Sequence, residues 1–66
     1  MNYGDALKYQ RELRGYSQKQ LSKATDISQQ MISYWEANNG LPSIDFCVRL
    51  ANFYGITVDE LIGRKI

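Results

Sequence analysis

A chain of 66 residues holds one domain and one small core. It buries only about 60% of its unfolded surface, so its stability rests on packing. One cysteine and no histidine exclude an internal disulfide and a zinc site of the Cys/His kind, so no metal and no cofactor are expected. No apolar run approaches the roughly 20 residues that cross a bilayer, and a lone free thiol fits a reducing, cytoplasmic compartment. The net charge is +1, unevenly spread. Lys8, Arg11, Arg14, Lys19 and Lys23 outnumber Asp5 and Glu12 in residues 1–23, whereas residues 37–63 set Arg49 against Asp45, Asp59 and Glu60. A one-faced phosphate contact needs such an asymmetry, although a short chain also reaches it by chance.

Breaks at Gly15, Asp26, residues 38–42 and Gly55 cut the chain into pieces of helical periodicity, with no strand-like alternation. The first, about residues 3–14, sets Tyr3, Leu7 and Arg11 on one stripe, widened by Ala6, Tyr9 and Leu13. The second opens at Ser17 as an N-cap and runs to about Thr25, with Leu21 and Ala24 inward. The third covers residues 28–37, opens at Ser28 and turns Ile32 and Trp35 inward. The fourth follows Pro42, opens at Ser43 and repeats Ile44, Cys47, Leu50, Ala51 and Tyr54 before Gly55. The fifth opens with a Thr57–Glu60 capping box and carries Val58, Leu61 and Ile62. Helices this short do not stand alone. The expected fold is therefore all-α, a compact five-helix bundle forming a single domain over residues 1–66.

Residues 17–36 have the layout of a helix-turn-helix: a short helix, a tight turn and a second short helix. Ser22 and Ala24 offer small side chains where the helices cross. Asp26 tolerates the left-handed backbone of the turn, and Ile27 anchors it. Opposite Ile32 and Trp35, the third helix shows Gln29, Gln30, Ser33, Tyr34 and Ala37. That face has hydrogen-bonding groups but no formal charge. A glutamine amide matches the N6 and N7 edge of adenine. A plain polar surface helix would account for the face equally well.

Five segments lie in register over residues 3–63. They are Tyr3-Gly4-x-x-Leu7-x-x-Gln10-Arg11, Ser17-Gln18-x-x-Leu21-Ser22 and Ile27-Ser28-x-x-x-Ile32-x-x-Trp35-Glu36. Pro42-Ser43-Ile44 with Leu50-Ala51 and Gly55-Ile56-Thr57-Val58-Asp59-Glu60-Leu61 complete the set. In this register the chain resembles the Cro/C1-type (XRE, lambdoid phage repressor-like) helix-turn-helix regulators. The resemblance implies a lambda-repressor-like domain that binds double-stranded DNA in a sequence-specific manner, as a transcriptional repressor, with helix 28–37 in the major groove. It implies base contacts from Gln29, Gln30, Ser33 and Tyr34. Phosphate contacts are expected from Gln18, Lys19, Ser28, Asn38 and Asn39. Arg11 and Glu36 are expected to form a partly buried ion pair.

The chain departs from the family pattern at three places. Asp26 stands where glycine is usual, and Gln10 and Cys47 stand where leucine is usual. The loop Asn38-Asn39-Gly40-Leu41 lacks the Lys or Arg often placed at phosphate. One such domain binds weakly, so a homodimer is expected, in solution or only on DNA, with Val58, Leu61, Ile62 and Phe53 as its contact surface. Cys47 reads as a core residue rather than a redox sensor. The aromatic set fits packing better than base stacking, except that Phe46, Val48 and Phe53 fall off the main stripe. A protein-interaction module, with Phe46 and Phe53 docking a partner, is the alternative reading. An enzyme is not expected, since there is no histidine, no useful carboxylate pair and no glycine-rich phosphate loop.

Overall fold

The computed structural model describes residues 2–64. It contains α1 (Tyr3–Leu13), α2 (Gln18–Thr25), α3 (Gln29–Glu36), α4 (Ile44–Tyr54) and α5 (Val58–Leu61), with no strand among the described residues. The helix starts follow local chemistry. Ser17 and Thr57 each accept the N–H three residues on, while the Gln20 and Glu60 side chains return to the cap backbone, closing two capping boxes. The Ser43 hydroxyl accepts the Phe46 N–H. Ser28 precedes α3 without a side-chain cap, so its hydroxyl is not committed to the helix.

Helix α1 packs on α3 and α5, α2 packs on α3 and α4, and α4 packs on α5. Their shared core is Leu7, Leu21, Ile27, Ile32, Trp35, Cys47, Leu50, Ala51 and Leu61. Helices α1, α2 and α4 bury narrower faces than their periodicity suggests. Tyr3, Tyr9 and Leu13 are exposed, because the neighbours of α1 all lie on its Ala6–Leu7–Arg11 side. Ala24 is exposed too. Ile44 is 70% exposed, since it opens α4 a turn before the buried Cys47. Phe46 lies not at the surface but half-buried, its ring 5.2 Å from that of Trp35. Phe53 is partly exposed and tilts against Tyr16 and Tyr54.

The expected dimer surface changes for a similar reason. Leu61 is fully buried, and Val58 and Ile62 pack against the core from its edge. With only four residues, α5 (Val58–Leu61) uses its apolar side to close the bundle. Of that set Phe53 stays exposed, and a further group of exposed apolar residues, Leu41, Ile44 and Val48, lies around the start of α4.

The turn between α2 and α3 is tight. Asp26 adopts φ 61 and ψ 25, the left-handed conformation otherwise favoured by glycine, and its N–H reaches the Ser22 carbonyl. Arg49, from α4, donates to the Thr25 carbonyl at 2.6 Å. A cation thus meets the negative end of α2. Gln10, standing where the family usually has leucine, is half-buried. It accepts from Arg14 at 2.7 Å and donates to the Glu60 carbonyl at 3.4 Å, linking α1 to α5.

Candidate nucleic-acid interface

Helix α3 is held by its inner side. Ile32 and Trp35 sink into the core and leave Gln29, Gln30, Ser33 and Tyr34 outside. These four line an open cleft of about 470 Å³ with Gln18, Ala37 and Asn39. A second depression, of about 400 Å³, adjoins it through Asn39 and includes Asn2, Tyr3, Asn38, Gly40 and Leu41. No formal charge lines the first cleft. It offers amides, a hydroxyl and a phenol, groups that suit the edges of bases.

Lys19 and Ser28 are exposed, beside Gln18 and Gln29 in the chain but outside the cleft lining. The Ser17 cap satisfies the Gln20 N–H, so the amides of Gln18 and Lys19 lie in the first turn of α2 without an intrahelical partner. Gln18, Lys19 and that first turn therefore sit together at the positive end of a helix dipole.

Asn38 and Asn39 separate in role. Asn38, at φ 61, accepts from the Gly4 N–H at 3.0 Å and donates to Asp5 at 3.4 Å. Its carbonyl and one of its two amide N–H groups are engaged within the protein, and the residue is exposed. Asn39 remains in the cleft.

The ion pair expected between α1 and α3 is present and nearly dry. Arg11 donates from Nε and Nη2 to the two Glu36 carboxylate oxygens, at 2.7 and 2.8 Å, and from Nη1 to the Tyr16 carbonyl at 2.7 Å. The two side chains are only 9% and 5% exposed. Hydrogen bonding to Glu36 raises the Arg11 pKa above its ordinary value, outweighing the opposing effect of burial. Arg11 is thereby withdrawn from the free basic residues that the sequence suggested. Arg14 is partly withdrawn as well, lying 4.4 Å over the Tyr54 ring. Lys8, Lys19 and Lys23 remain as exposed cations in this part of the chain.

Two features escaped the sequence reading. The Gln18 Nε2 donates to the Glu36 Oε1 at 3.1 Å, so the cleft touches the ion pair directly. Tyr34 also lies across Gly40, where a Cβ would stand 3.2 Å from the phenol oxygen. Both join residues on different elements, and neither leaves a periodic signature.

The geometry agrees with comparisons to known proteins. A family model described as helix-turn-helix matches residues 7–61. The chain is 31% identical over 64 residues to the HTH-type transcriptional regulator ImmR of Bacillus subtilis (strain 168), covering 97% of this chain and 50% of that protein. It is 29% identical over 65 residues to the HTH-type transcriptional activator BcrR of Enterococcus faecalis, covering 98% of this chain and 32% of that protein. The chain thus spans half or less of the length of these relatives. In fold it is similar to a transcriptional regulator from Listeria innocua known from a crystal structure, with a TM-score of 0.83 at 20% identity, covering 98% of this chain and 61% of that one. With five helices in the expected order and the family match running from α1 into α5, the chain belongs to the Cro/C1-type helix-turn-helix family of DNA-binding transcription regulators.

Proposed function

We propose that this domain reads duplex DNA by laying α3 in the major groove, and that it serves a transcriptional repressor acting by occupancy of its site. The observation that carries this reading is the cleft. Gln29, Gln30, Ser33 and Tyr34 from α3 share one uncharged, hydrogen-bonding surface with Gln18 from α2. In this reading the four α3 residues contact base edges, whereas Gln18, Lys19, Ser28, Asn38 and Asn39 contact phosphates. The chain works as a single non-enzymatic domain in the cytoplasm.

An α3 of eight residues is about 12 Å long and meets only a few base pairs. Specific affinities of about 10⁻⁸ M or tighter need more contact than that. Two copies on half-sites about 34 Å apart supply it, so the bound form is a homodimer on a near-palindromic site. Selection from random duplex DNA, followed by salt-dependent gel shifts, tests the proposal. A palindromic consensus supports it. Equal binding to every duplex, or protection of one half-site at saturation, defeats it.

The exposed Leu41, Ile44 and Val48 favour a second reading, a protein-contact module. It gains only if no duplex shifts even at low salt.

A further inference from the structure

We infer that Glu36 is a positioning residue for DNA binding: it fixes the orientation of the Gln18 amide and so presents a phosphate donor already aimed. The inference deepens the reading of the cleft as the DNA-facing surface and rests on it.

Both Glu36 carboxylate oxygens accept from Arg11, so each can only accept further hydrogen bonds. The Glu36 Oε1 takes one bond from Arg11 Nη2 at 2.8 Å and another from Gln18 Nε2 at 3.1 Å. Gln18 must therefore turn its nitrogen, not its carbonyl, toward Glu36. A surface glutamine without such a neighbour samples both orientations and several rotamers. Here one N–H is occupied, which fixes the plane of the amide. The second N–H belongs to a side chain that lines the cleft. A phosphate oxygen requires a donor, and this orientation supplies one without further ordering on binding.

Charge balance permits the arrangement. A carboxylate near a phosphate would repel it, but Arg11 neutralises Glu36 with two short bonds and is itself held by the Tyr16 carbonyl. The Glu36 side chain is only 5% exposed, so water competes poorly for its Oε1. A pair that looks purely structural thus extends, through one shared oxygen, to the surface that meets DNA.

A double-mutant cycle tests this on the duplex selected as above. Gln18→Ala and Glu36→Gln should each weaken binding roughly tenfold, and the double variant should be no weaker than the weaker single one. Glu36→Asp, which keeps the charge opposite Arg11 but shortens the reach to Gln18, should show the same non-additivity in a folded protein. The side-chain ¹⁵N spectrum of the unbound wild type gives a readout that stability alone does not move. The Gln18 amide pair should be shifted from free-amide positions, and Glu36→Asp should return it toward them. An averaged Gln18 amide in the wild type overturns the inference even if Glu36→Gln does not fold. So does a double variant whose loss equals the product of the single losses. If the wild type binds no duplex, the DNA reading falls and takes this inference with it. If it binds and the losses multiply, only the positioning role falls.

Discussion

The Asn38 side-chain carbonyl accepts the backbone N–H of Gly4 at 3.0 Å, fastening the segment just after α3 to the first turn of α1. The approach requires that residue 4 have no side chain, since a Cβ there would meet the Trp35 carbonyl and stand 2.6 Å from Asn38 Oδ1. Gly4→Ala should destabilise the domain by about 1–3 kcal/mol through overpacking. Asn38→Ala should cost about 1–2 kcal/mol, losing a hydrogen bond and a residue tolerant of φ 61. Urea titrations report both. A Gly4→Ala midpoint equal to that of the wild type would show that the two helices separate there without penalty.

The Arg11–Glu36 pair makes a second, two-sided prediction. Either single alanine leaves a buried charge alone and should cost about 3–5 kcal/mol. In a domain this small that loss is enough to unfold it near room temperature. Replacing both with apolar residues, as in Arg11→Met with Glu36→Leu, should recover most of the loss. Thermal melts followed by circular dichroism distinguish the two cases. Unchanged midpoints in both single variants would mean the pair contributes nothing to folding.

Tyr54 gives the pH prediction. Its hydroxyl is buried without a hydrogen-bond partner among the described residues, and burial pushes its pKa from about 10 up to about 12. The folded pKa lies above the unfolded one, so the unfolded chain loses this proton first. Stability from this group is therefore intact below pH 10 and declines as pH rises from about 10 to 12. Tyr54→Phe removes that decline. At neutral pH it should be neutral or stabilising by about 1 kcal/mol, because an unsatisfied buried hydroxyl disappears. Loss of more than about 1 kcal/mol at neutral pH would show that the hydroxyl has a partner after all.

At the DNA surface, two groups of residues should fail differently. Gln29→Ala or Gln30→Ala should cost about 1–3 kcal/mol on the preferred site and flatten the preference at one or two positions. Lys19→Ala should weaken all sequences alike and lower the salt slope by about one unit. Competition against single-base variants of the site, at two salt concentrations, separates them. Uniform weakening by both glutamine variants would assign them to the phosphate set.

Local chemistry made much of the fold legible. Ser17, Ser43 and Thr57 announce three helix starts, and Leu21, Ile27, Ile32 and Trp35 announce the core of the helix-turn-helix. The cleft residues of α3 were legible as well, because their uncharged face stands opposite Ile32 and Trp35. Burial at the helix edges was not. Periodicity states which way Tyr9, Leu13 and Ile44 point, but not whether another helix lies there, and none does. The role of Asn38 was also hidden, since its partner Gly4 is 34 positions away.

The seat of Tyr34 on Gly40 ties two positions into one inheritance. While tyrosine stands at 34, a side chain at 40 requires the exposed phenol to swing aside, because a Cβ there meets the ring. Exchange of Tyr34 for a smaller residue frees position 40, and a lysine can then enter a loop that now has no cation. The less costly order changes Tyr34 first and the loop second. In the proposed reading, a change of target sequence and a gain of general affinity are thus coupled through this one contact.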